Sequence, residues 1–360
     1  MTAVDPITLE ILRNLFASVA EEMGVTLGRT AYSPNIKERR DYSSACFLAE
    51  GHGAGPQMIA QAAHIPVHLG AMPASVRAAL EACAACAPGD LVVLNDPYLG
   101  GTHLPDITMV SPVFVPGTAA DGPAFFVASR AHHADVGGMS PGSMPLAVEI
   151  YQEGLIVPPV KLVEGGRVNQ PVLDIILRNV RTPRERRGDL AAQMAAHRVG
   201  ERRLLEIVAR YGLDETLRYA RELLAYAERL TRAAIAAIPD GTYTFVDELD
   251  DEGVSGRQPE LGGDASPGPR IRVAVTVEGE GMTVDFAGSS PAVRGPLNAV
   301  RAITESATWY AVRCVAAARG EVAPMNSGAF APVRVLVPRG SLLDALPPHD
   351  SYPTWRDWTK

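Results

Sequence analysis

Asn95–Val115 reads NDPYLGGTHLPDITMVSPVFV, and Phe125–Gly138 reads FFVASRAHHADVGG. Each holds an apolar run bounded by turn-forming residues, and the reading of these two runs decides the fold. ITMVSPVFV is apolar and rich in β-branched residues, the pattern of a buried strand, and FFVAS reads as a second strand. Pro112 inside the first run points to an edge strand or a bulge, because proline cannot donate to a β-ladder. A small pattern, His-x-x-Asp, occurs beside each run, as His103-Leu-Pro-Asp106 and as His132-His-Ala-Asp135. Pro105 keeps the first copy out of a helix interior. On a plain strand, residues three apart face opposite sides. A turn is therefore needed to bring His103 and Asp106 to one point, and Gly100-Gly101 supply backbone permissive enough to make it. Imidazole nitrogens and carboxylate oxygens on strand-flanking loops suit a divalent ion. An ordinary hydrogen-bonded surface pair is the alternative for either copy.

Outward from these stretches, composition sets limits. The chain has 360 residues, 47% hydrophobic and 21% charged, enough for two or three domains. Its net charge is −8 and no basic patch occurs, which argues against a nucleic-acid partner. Arginine carries nearly all the positive charge, beside Lys37, Lys161 and Lys360. No run reaches the ~18 apolar residues of a membrane span, and MTAVDPITLE has no secretory pattern. Cys83-Ala-Ala-Cys86 has CxxC spacing but no second pair, so the four cysteines read as buried or incidental thiols of a cytoplasmic protein.

Asp5-Pro6 opens a helix to about Gly28, with Leu12, Leu15, Phe16, Val19 and Met23 on its buried face. Arg29–Asp41 carries Lys37-Glu38-Arg39-Arg40-Asp41, either a solvated loop or an anion site, since arginine forks bind phosphate and carboxylate bidentately. Tyr42–Leu48 is a strand, and Gly51–Pro56 is a hairpin tip. His64 and His68 flank Pro66, so they are not a helical metal pair. Each reads as a core histidine, or, for His68, as an acid/base group or a support for the site. A helix is expected from Pro73 to Ala87 and a buried strand over Leu91–Leu94. Glu149 and Glu153 are further carboxylates, free for a site or for nearby arginines. Two long helices, parted at Gly212, fill Thr182 to about Ile238. From Thr242 the period becomes two, in TYTFVDEL, RIRVAVTVEG and MTVDFAG, which predicts antiparallel strands. A helix near Ala299–Ala318 and a strand VRVLV follow. The expected fold is mixed α+β. It has an N-terminal α/β domain with the site (1–181), a helical segment (182–239), an antiparallel β-rich domain (240–343) and a tail (344–360).

Several blocks together resemble the hydantoinase B family. They are the two opening stretches, RTAYSPNIKERRDYS (29–43), QAAHIPVHLGAM (61–72), EIYQEGLIVPPVKL (149–162), HRVGERRL (197–204) and DFAGSSPAVRGPLN (285–298). That family includes the B-type component of N-methylhydantoinases, the matching half of 5-oxoprolinases and the large subunit of acetone carboxylases. The resemblance runs from Asp5 to about Leu343. It implies a manganese or zinc ion on His103, Asp106 and His132, the last preferred to His133 because it repeats the His-x-x-Asp spacing. It further implies Asp135 orienting or joining the ligands, His68 in acid/base work, and substrate contacts at Arg39, Arg40 and Asp41. ATP would be used by a hydantoinase A-type ATPase subunit in a hetero-oligomer, since this chain has no GxxxxGK[ST] loop. The substrate would be a small cyclic amide to be hydrolysed, or a ketone to be carboxylated. Family members run past this point, whereas PHDSYPTWRDWTK (348–360) reads as unrelated. A shortened, inactive partner of the ATPase subunit is therefore the rival, and a free-standing metal amidohydrolase a third reading. From about Ala345 the prolines and the lack of an apolar period predict poor order.

Overall fold

Asp5 caps the first helix, α1 (Pro6–Thr30), by accepting the Thr8 N–H, while Pro6 fills a first-turn position where its missing N–H is no loss. A computed structural model describes residues 4–49, 55–63, 65, 67–83, 85–117, 122–250, 268–320 and 323–349 of the chain. After α1 come α2 (Pro34–Lys37), β1 (Tyr42–Leu48), β2 (Gln57–Ala63), α3 (His68–Ala82), β3 (Leu91–Leu94), β4 (Asp106–Val113) and β5 (Phe125–His132). Next are β6 (Val160–Glu164), β7 (Arg167–Val168), α4 (Gln170–Arg178), α5 (Pro183–Tyr211) and α6 (Leu213–Ala236). The rest is β8 (Gly241–Glu248), β9 (Arg270–Glu278), β10 (Gly281–Asp285), α7 (Arg301–Ala318) and β11 (Val333–Leu336). The mixed α and β fold expected from the sequence is the one observed, with strands gathered in two sheets.

The first sheet has the order β2-β1-β5-β4-β3-β6-β7 with antiparallel neighbours throughout. Strand β5, internal between β1 and β4, is buried at every position. Phe125, Val127 and Ala131 join a core with α1, α5 and α6, while Phe126 and Ala128 join one with α3. A strand covered on both faces must be apolar on both, so FFVAS shows no alternation. The long helices of 182–239 thus share a core with the N-terminal sheet.

Pro112 does not mark an edge or a bulge. β4 is internal, and its register with β5 runs unbroken through the Pro112–Phe126 pair. Pairing with β3 covers only Thr108 to Val110, so the proline lies past the end of that ladder. The helix expected from Pro73 begins five residues earlier, at His68, and ends at Ala82. Pro73 forgoes one helical bond near the N-terminus, and the buried small residues around it repay the loss through close packing. Gly70 shows how close: a Cβ there would lie 2.7 Å from the Ser306 backbone nitrogen on α7.

The second sheet, β11-β10-β9-β8, is antiparallel except at β10 and β11, which run parallel. The antiparallel pairing expected from Thr242 holds for β8, β9 and β10; β11 runs parallel to β10 because α7 lies between them in the chain, and a helical crossover permits parallel pairing. The tail expectation fails for 345–349. Ala345 is buried with its N–H bonded to Ala299 O at 3.0 Å, and Pro348 O accepts the Ile150 N–H at 3.1 Å. Residues 350–360, His64 and most of the 51–56 tip lie outside the described residues. Among the described residues no helix is long and apolar enough to cross a membrane.

His197 of α5 is buried between Ser111 Oγ (2.8 Å from Nδ1) and Ser129 Oγ (3.0 Å from Nε2). Burial pushes it down to about 3. An unfolded histidine titrates near 6.5, so this depressed group contributes stability that is whole above ~6.5 and is lost as pH falls toward its folded value. We expect urea stability to drop between pH 6.5 and 5, with His197 contributing about 2 kcal/mol of the loss. His197→Gln should flatten that slope, and an unchanged slope in the variant contradicts the assignment.

Candidate metal centre

Strand register builds this site. Asp106, the first residue of β4, is paired with His132, the last of β5, so both side chains leave the same face. On the other side of β5, Tyr42 pairs with Ala131, and the His132 N–H donates to Asp41 O at 2.9 Å. Asp41, His132 and Asp106 therefore form one row across three adjacent strands at one end of the sheet. His103 joins through a tight turn in which the Asp106 N–H donates to His103 O at 3.0 Å. Just before it, Gly100 has φ 90°, and a Cβ there would lie 2.6 Å from Ala74 O of α3. Only glycine fits that approach.

Three atoms converge. His103 Nε2 lies 3.0 Å from Asp106 Oδ1 and 3.2 Å from His132 Nδ1, and His132 Nδ1 lies 3.3 Å from Asp106 Oδ1. Ligands bonded to one small divalent ion at ~2.0–2.2 Å stand about 3.0–3.5 Å apart, so the triangle has the dimensions of a ligand face. Asp106 Oδ1 is buried and accepts no hydrogen bond among the described residues. The other oxygen, Oδ2, accepts from Thr102 Oγ1 at 2.5 Å and has His68 Nε2 at 3.4 Å. The carboxylate is thus gripped by one oxygen and presents the other to the two imidazoles, an arrangement that fits a cation.

Charge agrees with geometry. Burial works to raise Asp106, yet the charge of His103 and contacts with His103, His132 and His68 hold it well below the usual carboxylate range. For His132, burial favours the neutral ring, but Asp106 and Asp41 outweigh it and raise the pKa. Asp41 is raised by burial, against the pull of His132. Its Oδ2 lies 4.0 Å from His132 Nδ1.

Some residues singled out from sequence stand elsewhere. Asp135 does not join the triangle. It accepts from Arg181 Nη1 at 3.0 Å and from the Gly137 N–H at 3.1 Å, because the chain turns away once β5 ends. His68 is only 1% exposed and begins α3 beneath the sheet row, with Nδ1 2.9 Å from Ser43 Oγ. It backs Asp106 and is not open to a substrate, as an acid/base group must be. His133 points to the opposite face, with Nε2 2.9 Å from Gln193 Oε1, and burial pushes it down to about 4. Arg39 and Arg40 are exposed beside the row, and Arg40 holds φ 55°. Glu149 is exposed and Glu153 buried, the latter following Ile150–Gln152.

Sequence reading missed Arg130. It is fully buried one row behind Asp106 and His132, paired in register with Thr108, whose Oγ1 accepts from its Nε at 2.8 Å. It also bonds Ser75 Oγ, and no carboxylate makes a salt bridge with it among the described residues. Burial lowers it to about 10, with Asp106 acting in the other direction. The available signal was an arginine inside an otherwise uncharged buried strand.

The profile of the hydantoinase B/oxoprolinase family matches residues 5–353. That is ten residues past the point where the resemblance had been expected to fade. The chain is 35% identical to 5-oxoprolinase 1 of Arabidopsis thaliana, over 94% of this chain and 27% of that protein. It is 33% identical to a putative B-type component of a D-/L-hydantoinase from a Pseudomonas species, over 96% of this chain and 58% of that one. The crystal structure of an ATP-dependent caprolactamase from Pseudomonas jessenii superposes with a TM-score of 0.85 at 32% identity, over 98% of this chain and 58% of that one. The chain thus spans about three-fifths of the hydantoinase and caprolactamase chains it matches and about a quarter of the oxoprolinases.

Proposed function

The chain belongs to the hydantoinase B/oxoprolinase family, and from that membership we propose that it is the metal-binding subunit of an ATP-dependent hydrolase of cyclic amides. The observation that carries this is the His103–Asp106–His132 triangle closing on an unbonded, buried carboxylate oxygen. His103 Nε2, His132 Nδ1 and Asp106 Oδ1 would hold manganese or zinc, between which a mixed N/O set does not choose. The ion would supply Lewis acidity toward a carbonyl or phosphoryl oxygen and a more acidic bound water.

Around it the chain's own residues have separable tasks. Thr102 and His68 fix the Asp106 carboxylate through Oδ2, and Ser43 fixes the His68 ring. Asp41, raised by burial and next to His132, is placed to exchange a proton with a bound substrate. Arg39 and Arg40, exposed beside it, suit an anionic group on the activated substrate. Activation by ATP fits a separate polypeptide. The caprolactamase is ATP-dependent, and the Pseudomonas hydantoinase relative is one component of a multi-subunit enzyme. Four unbridged cysteines favour a reducing compartment, the cytoplasm.

The chain alone should hydrolyse no ATP, as it lacks a phosphate-cradling loop. Steady ATPase activity that follows the pure chain through successive columns would contradict the two-component reading. Mixed with its ATPase subunit, it should support ATP-dependent opening of hydantoin, 5-oxoproline or caprolactam, with activity lost to chelator and restored by metal. A mixture that binds metal and partner yet turns over none of them would favour an inactive partner. Bicarbonate-dependent consumption of a ketone would move the assignment to carboxylation.

A further inference from the structure

Arg130 occupies the layer between the ion site and the apolar core. Register sets Ser43, Arg130 and Thr108 side by side on β1, β5 and β4, two residues further into the sheet than Asp41, His132 and Asp106 and on the same face. The side chain is fully buried and ties together separate parts of the chain. Its Nε donates to Thr108 Oγ1 at 2.8 Å, on the strand that begins with Asp106. Its Nη2 donates to Ser75 Oγ of α3 and, at 3.3 Å, to Gly100 O. Ser75 Oγ donates to the same Gly100 carbonyl. Gly100 is pressed against Ala74 of α3, and the loop it opens runs through Thr102, which grips Asp106 Oδ2, to His103. Buried on two hydroxyls and one carbonyl, with Nη1 lacking a hydrogen-bond partner among the described residues, the guanidinium costs stability where it sits.

What that cost supports is the loop. A lysine here would carry the same charge on one compact ammonium, whereas the planar fork of arginine reaches β4 on one side and α3 with the loop on the other. Charge alone works against a cation, since a fixed positive group behind the ligands repels a divalent ion. Positioning works for it, because groups that hold a ligand in place contribute roughly 10–100-fold to metal affinity. We propose that Arg130 is a positioning residue for the ion site. Through Ser75 and the Gly100 carbonyl it fixes the loop that brings His103 Nε2 to Asp106 and His132. The proposal rests on the ion site proposed above and adds to it a residue outside the ligand set.

The test is the zinc affinity of the purified chain, measured by competition with a chelating dye. Wild type, Arg130→Lys and Ser75→Ala are compared, each also in a His103→Ala background. Both substitutions keep the buried charge and weaken the tie to the loop. Each should weaken zinc binding about tenfold beside wild type. In the His103→Ala background each should change affinity by less than about twofold, since no His103 remains to be held. Circular dichroism and the melting temperature of the ion-free chains check folding. Ser75→Ala, the milder change, decides alone where Arg130→Lys does not fold. Undiminished zinc affinity in a folded variant overturns the proposal. So does an equal loss in both backgrounds, the mark of a general structural role. A wild-type chain that binds no zinc overturns the ion site and this proposal with it, whereas either failure among the variants leaves the ion site standing.

Discussion

His103→Ala and His132→Ala should each strip the chain of its divalent ion, while His133→Ala should keep it. The first two remove nitrogens that stand 3.2 Å apart and within 3.3 Å of Asp106 Oδ1. Removing a side chain that merely orients a ligand costs roughly 10–100-fold in affinity, and a ligand itself costs at least that. His133 is adjacent in sequence but faces α5 through Gln193, so its loss disturbs packing and leaves the triangle whole. Ion binding should also raise the melting temperature of the wild type by linkage and leave that of His103→Ala unmoved. Metal content after exhaustive dialysis, set beside melting curves with and without added ion, checks both halves. Full retention in His103→Ala and His132→Ala would sink the ligand assignment, and loss in His133→Ala alone would transfer it by one residue.

Asp189→Ala should be among the most damaging substitutions to stability, at about 3–5 kcal/mol. Asp189 is buried on α5 and pairs with fully buried Arg186 at 2.7 Å. Its other oxygen accepts the N–H groups of Tyr32 (2.7 Å) and Ser33 (3.0 Å), which lead into α2. Alanine leaves a buried guanidinium without its closest counter-charge and two backbone donors without acceptors, and each deficit is costly in low dielectric. Because this anchor holds the segment that delivers Asp41, the ion site should loosen as well. Urea unfolding of the variant measures the loss. A change within about 0.5 kcal/mol, the range of ordinary surface substitutions, would show that the pair is not a structural anchor.

Much of the fold was legible because its central strands are buried on both faces and write that fact as long apolar runs, as FFVAS and ITMV do. His103 and Asp106 were nameable as candidates because a proline and two glycines force a turn next to a strand, and His132 because it repeats the His-x-x-Asp spacing beside a second strand. What sequence spacing could not carry was register. Asp41 reaches His132 only because β1 lies beside β5 with Tyr42 opposite Ala131. Asp135 repeats the His-x-x-Asp pattern and goes to Arg181 instead, since the same spacing at the end of a strand and at its start leads the chain in different directions. The start of α3 at His68 was not legible, because Pro73 inside that helix reads as a first-turn proline. Arg130 was passed over because an arginine reads as solvent-facing until both faces of its strand are known to be covered.

The central claim is that one ion is held by these three atoms. Anomalous diffraction at the absorption edge of the bound metal, on crystals of the metal-loaded chain, tests it most directly. The account predicts one strong peak about 2.0–2.2 Å from His103 Nε2, His132 Nδ1 and Asp106 Oδ1. A peak coordinated elsewhere, or none at this triangle in crystals grown with saturating zinc or manganese, would contradict it.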